Sequence, residues 1–180
     1  MGNLPNITSD YFQILVVREL RKVGFEVGDV RVHRRSELPE PERGFVVELA
    51  VRLGRAAWHK RALVACRRQE GVAGRDVVES LKARLADARA DVGILFSTAD
   101  FDADAVTAAR ESHVALLRVV ESRTVYDTSG WSTPGHYPAW LPAHTAQVVD
   151  QDAGGQVRTR ALEMSRGGAE LILKHLGPEQ

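Results

Sequence analysis

Three apolar runs, "ALVAC" at 62–66, "DVGILFST" at 91–98 and "VALLRVV" at 114–120, are separated by segments of helical period. Each run is strand-length and too continuously apolar to be half exposed, so each reads as a strand covered on both faces. Strands separated by helices imply a largely parallel region inside a mixed sheet, with helices on its faces. The first connecting segment, "VVESLKARLADARA", carries Val77, Val78, Leu81 and Leu85 as an amphipathic stripe, with Asp76 and Glu79 at capping-box spacing ahead of it. The second, "DADAVTAARESH", has Asp102 as its expected cap.

Upstream, "SDYFQILVVRELRKVGF" places Phe12, Leu15, Val16, Leu20 and Val23 near helical spacing, with Ser9 or Asp10 to cap the helix and Gly24 to stop it. "SELPEPERG" reads as a loop. "FVVELAVRL" alternates, so that Glu48 and Arg52 share one face of a strand. From Phe45 to Val120 the order is strand, strand, helix, strand, helix, strand, which defines an α/β fold with a mixed central sheet flanked by helices. The rest differs in character: "SGWSTPGHYPAWLPAH" is an irregular arm rich in proline, glycine and aromatics, "AQVVDQDAGGQVRTRAL" is a hairpin turning at Ala153 to Gly155, and "GGAELILKHLG" is a short closing helix. The expected division is a main domain over residues 1–125 and, over 126–180, an arm, hairpin and helix packed on it or extending from it.

At 180 residues and 44 % hydrophobic, one domain with an appendage accounts for the length. No apolar run is long enough to cross a bilayer and the N-terminus does not resemble a signal peptide, so a cytoplasmic protein that does not engage a membrane is expected. Cys66 is the only cysteine, which excludes an internal disulfide and a zinc site built on thiolates. The formal net charge is +0, so nucleic-acid binding would have to come from local charge.

The helix ending in "VGFEV", the strand with an acid, "LVACRRQEGVAGRDVVESL", "GILFSTADFDADAVTAA" and "VALLRV" together resemble the type IV restriction endonuclease (Mrr-like) branch of the PD-(D/E)XK nuclease superfamily, over roughly Tyr11 to Val120. The resemblance implies a restriction-endonuclease-like fold. It also implies a site in which acids on two adjacent strands hold Mg²⁺ and a lysine two residues after the second acid orients water and phosphate. Carried over, the first acid falls on Glu48, the second on Ala65 and the lysine on Arg67. Only the first keeps its chemistry: Ala65 has no ligand atom, and the planar guanidinium of Arg67 does not replace a compact ammonium. As a catalytic remnant, then, the site consists of Glu48 and Arg67, with Ala65 at the lost acid. No cofactor is expected unless a displaced acid, Glu79 or Glu70, joins Glu48 to hold Mg²⁺.

Bland readings stand beside these. Glu48 could be an ordinary strand carboxylate paired with Arg52 or Arg67. Cys66 near His59 reads as core packing rather than a nucleophile, and His136 and His144 have no ligand spacing. "QEGVAGRD" lacks the lysine and hydroxyl of a phosphate loop.

Between Leu49 and Gln69 the chain holds Arg52, Arg55, Lys60, Arg61, Arg67 and Arg68 and no acid. Such a block could form a non-specific DNA-backbone surface with Trp58 at a hairpin tip to wedge or stack, or it could be a solvated edge balanced by Glu37, Glu40 and Glu42. Three functions follow: a catalytically inactive nuclease-fold module that binds DNA or regulates, an active Mg²⁺-dependent endodeoxyribonuclease with a displaced acid, or an interaction module. In the third, Trp131, Tyr137 and Trp140 would anchor a second copy or a protein partner.

Overall fold

A computed structural model describes residues 5–130, 133–162 and 168–177. Its centre is a seven-stranded sheet in which spatial order follows chain order. β1 (Glu26–Glu37), β2 (Gly44–Arg55) and β3 (Trp58–Gln69) run antiparallel. β4 (Val92–Ser97) and β5 (Val114–Glu121) then add in parallel, and β6 (His144–Gln151) and β7 (Val157–Ala161) return antiparallel. The three strands joined through the two amphipathic segments, β3, β4 and β5, are thus the parallel ones.

Helices α2 (Arg75–Asp87) and α3 (Ala103–Ser112) link β3 to β4 and β4 to β5. Both crossovers advance the sheet in the same direction, and right-handed crossovers then place both helices on one face. Leu63, Ala65, Leu95 and Leu116 pack there against Val77, Val78, Leu81 and Val106. The opposite face is the larger core, where α1 (Ser9–Lys22) delivers Phe12, Leu15, Val16 and Leu20 onto Val47, Leu49, Val64 and Phe96, and α5 (Gly168–Leu173) adds Ala169 and Ile172. A short helix, α4 (Ser122–Thr128), leads into the arm. The tail contributes β6 and β7 to the same sheet, with β6 paired along β5.

Several local expectations are corrected. Thr8 caps α1, its Oγ1 accepting from the Tyr11 N–H at 3.2 Å, in place of Ser9 or Asp10. The N-cap of α2 is Gly74 with no side-chain cap, because Glu79 turns to Arg75 at 2.7 Å instead of closing a capping box with Asp76. Asp102 caps α3 as expected, accepting from Ala105 N–H at 2.7 Å. Trp58 is not an exposed wedge: it is 8 % exposed and its ring packs tilted against Phe25, centroids 5.9 Å apart. Of the three arm aromatics, Trp140 is 74 % exposed, Tyr137 is half-buried with its hydroxyl donating to Asp127 at 2.7 Å, and Trp131 lies outside the described residues.

Nothing in the sequence patterning marks β1. It is exposed on nearly every residue, so it shows none of the burial-driven alternation that distinguishes the other strands. Its register also shifts between Gly28 and Arg31 and between Val32 and Arg34, with Asp29 in the left-handed region at φ 50°.

Candidate remnant nuclease site

β2 and β3 are paired so that Glu48 lies directly across from Ala65. Directly opposed residues of an antiparallel pair share a face, and here it is the face covered by α2. Glu48 is only 5 % exposed and Ala65 4 %. The carboxylate partner is neither Arg52 nor Arg67 but Arg84 of α2, whose Nε and Nη2 reach Glu48 Oε2 at 3.2 and 3.3 Å. Arg84 also reaches Asp87 at 3.3 Å. A signal for Arg84 was present in the sequence: it falls three residues after Leu81 and seven after Val77, on the helix stripe that faces the sheet.

Arg67 lies on the same face, two residues along β3 toward the N-terminal end of α2. Its Nε donates to the Gln69 side chain, burial lowers its pKa, and nearby Asp76 works the other way. Glu79 is committed to Arg75, and Glu70 is an exposed residue just beyond β3. Among the described residues no three His, Cys, Asp or Glu side chains converge as a metal site would require. One carboxylate, bonded to a guanidinium and facing a methyl group, does not fit a hard divalent cation that needs several oxygen ligands.

Alternation separates the basic block. Arg52, Arg61 and Arg67 share the Glu48 face, while Arg55, Lys60 and Arg68 lie on the α1 face. Arg55 donates to the Val23 carbonyl at 3.1 Å and pairs with Glu170 at 2.9 Å, and Arg68 donates to the Pro5 carbonyl at 2.9 Å. On the Glu48 face, Arg52 pairs with Asp29 at 3.4 Å and Arg61 with Asp91 at 3.6 Å. Two further arginines, missed with β1, join them. Arg31 lies opposite Ala50 and Arg34 opposite Glu48, and the bulge at His33 puts both on one face although they are three residues apart. Both are exposed. Cys66 is fully buried on the other face, where desolvation pushes its thiol pKa far up, so it has no nucleophilic character.

This mixed sheet with helices on both faces, and with Glu48 and Ala65 opposed on paired strands under α2, is a restriction-endonuclease-like fold. The profile of the Mrr_cat restriction endonuclease family matches residues 4–122, and the chain belongs to that family. The match ends at the start of α4, leaving the arm, β6, β7 and α5 outside it. No curated protein and no solved structure matches the chain. No helix among the described residues is long and apolar enough to cross a membrane.

The Glu48–Arg84 pair sets a prediction. Arg84→Ala should cost about 2 kcal/mol, short of the ~3–5 kcal/mol for removing one partner of a fully enclosed pair because Arg84 is partly open to water. Urea unfolding of both proteins measures it, and an unchanged midpoint would show that Glu48 needs no counter-charge.

Proposed function

We propose that this protein is a cytoplasmic, catalytically inactive nuclease-fold module that holds duplex DNA by its backbone. The observation that carries the reading is the locked carboxylate: Glu48 is buried, bonded to Arg84 and faces Ala65. An arginine takes the place beside the acid that a cation would need, and the second acid is a methyl group. On that side of the sheet Arg31, Arg34, Arg52 and Arg61 stand exposed along β1, β2 and β3, with Asp29 beside Arg52 and Asp91 beside Arg61. Exposed arginines bind phosphate through charge and release of counterions, without reading sequence. The active-endonuclease alternative needs Glu79 or Glu70 beside Glu48, and the Arg75 pairing of Glu79 speaks against it.

Two measurements test this together. Plasmid incubated with the protein and Mg²⁺ or Mn²⁺ should stay supercoiled, and any metal-dependent nicking abolished by Glu48→Ala would overturn the inactive reading. In a salt titration on a short duplex, changing Arg31, Arg34 and Arg52 together to Ala should weaken binding and flatten the log–log salt slope by roughly 0.9 for each phosphate no longer neutralised. Equal slopes for the two proteins would remove DNA binding from this face. Arg55, Lys60 and Arg68 on the other face serve as the control set, with little effect expected.

A further inference from the structure

The outer face of α1 is complementary to itself when reversed, acid falling on base and apolar residue on apolar residue. Asp10, Ile14, Val17 and Arg21 follow one another at helical spacing along it, with Gln13 and Arg18 beside them. Reversed about its midpoint, Asp10 falls on Arg21, Gln13 on Arg18 and Ile14 on Val17. Ile14 is 64 % exposed, an unusual state for an isoleucine at the centre of a helix whose other face is fully buried. Ile14, Val17 and Arg21 line a groove of about 1140 Å³ together with Val30 of β1 and Trp140 and Leu141 of the arm. The volume exceeds the ~300–1,000 Å³ usual for a small-molecule site, and the exposed rim suits a helix better than a compact ligand.

We propose that this face is the interface of a two-fold homodimer in which α1 of each copy lies antiparallel to α1 of the other. The self-complementary order selects the occupant, because a two-fold contact must match a patch to itself. Antiparallel pairing sets the Asp10 carboxylate of each copy against the Arg21 guanidinium of the other, and Ile14 against Val17. Parallel pairing would set like charges together. The existing contacts of these ends are compatible: Asp10 holds Arg35 at 3.2 Å through one oxygen, and Arg21 uses Nη2 on the Val27 carbonyl at 3.0 Å. The antiparallel helix dipoles add to the match. Trp140 then flanks the helix pair, which accounts for a large exposed aromatic on the arm. The proposal is independent of DNA binding, since α1 and the arginine-bearing face lie on opposite sides of the sheet.

Sedimentation equilibrium on the intact chain tests it. The wild-type protein should be dimeric at roughly 0.1 mM. Ile14→Asp, at an exposed position, should be monomeric with an unchanged Tm. Asp10→Arg and Arg21→Asp should each weaken the dimer by roughly tenfold, and the two together should restore it, because the swapped charges meet across the two-fold. A wild-type monomer, a dimer indifferent to Ile14→Asp, or failure of the double variant to recover would each overturn the proposal. A dimer that survives these changes while the arginine variants lose DNA would leave the DNA reading intact and this interface wrong.

Discussion

Placing an acid and a lysine at these positions, Ala65→Glu with Arg67→Lys, is expected to lower Tm by roughly 10 °C and to give no plasmid cleavage in millimolar Mg²⁺ or Mn²⁺. Read from the sequence alone, the double change supplies the absent acid and lysine on the face that holds Glu48. The structure adds what stands over that face. Ala65 is 4 % exposed in a cluster with Val77, Val78 and Leu81, so a glutamate there displaces α2. Overpacking of this kind costs ~1–3 kcal/mol. A second carboxylate beside Glu48 in the same dry pocket adds repulsion that is relieved only by taking up a proton, which raises the pKa of the new group. Together the two effects reach on the order of 4 kcal/mol. A cation could in principle offset them, but Arg84 already sits against Glu48 Oε2 at 3.2 Å. Thermal unfolding with and without metal decides the matter. A double variant whose Tm climbs back to the wild-type value in Mg²⁺ would show that the site is latent and that Arg84 yields to a cation.

What the sequence disclosed follows from where burial acts. β3, β4 and β5 were legible because the sheet buries them on both faces, and α2 and α3 because each presents one apolar stripe. β1 was illegible because almost no residue of "EVGDVRVHRRSE" is buried, and its bulges break the period-two pattern that a strand would otherwise show. The candidate site was half legible for the same reason. Placing Glu48 across from Ala65 needed only the strand pairing. Finding Arg84 required treating a charged residue on an apolar stripe as facing inward, and such a residue is buried only when it is paired. The basic block shows the converse error: six cations close in sequence suggest one surface, whereas alternation along β3 sends Arg61 and Arg67 one way and Lys60 and Arg68 the other.

Glu19 carries the other large effect. It is the most deeply buried charge among the described residues, 0 % exposed on the inner side of α1. Its carboxylate accepts from Lys22 Nζ at 2.6 Å, Arg18 Nη2 at 3.3 Å, the Thr145 hydroxyl at 3.2 Å and the Ala146 N–H at 3.1 Å. Arg18 and Lys22 in turn reach the His144 carbonyl and the Thr145 hydroxyl, so three residues of α1 close a network on the start of β6. β6 lies outside the family match, so this network is a polar fastening between the nuclease-type part and the strands added after it, beside the Arg110–Asp150 pair. Glu19→Ala removes the carboxylate acceptor from a buried backbone N–H and a hydroxyl and the counter-charge from two cations. Removing one partner of such a buried network costs about 3–5 kcal/mol, equivalent to roughly 10 °C in Tm for a chain of this size. Glu19→Gln retains an acceptor oxygen for Ala146 N–H but loses the charge, and should fall between the two. Amide exchange locates the effect: protection in β6 and β7 should drop in Glu19→Ala well before that of β3 to β5, whose ladders do not depend on the network. Uniform loss of protection across all seven strands would instead show that the tail folds only as one unit with the rest and that Glu19 is not the joint between them.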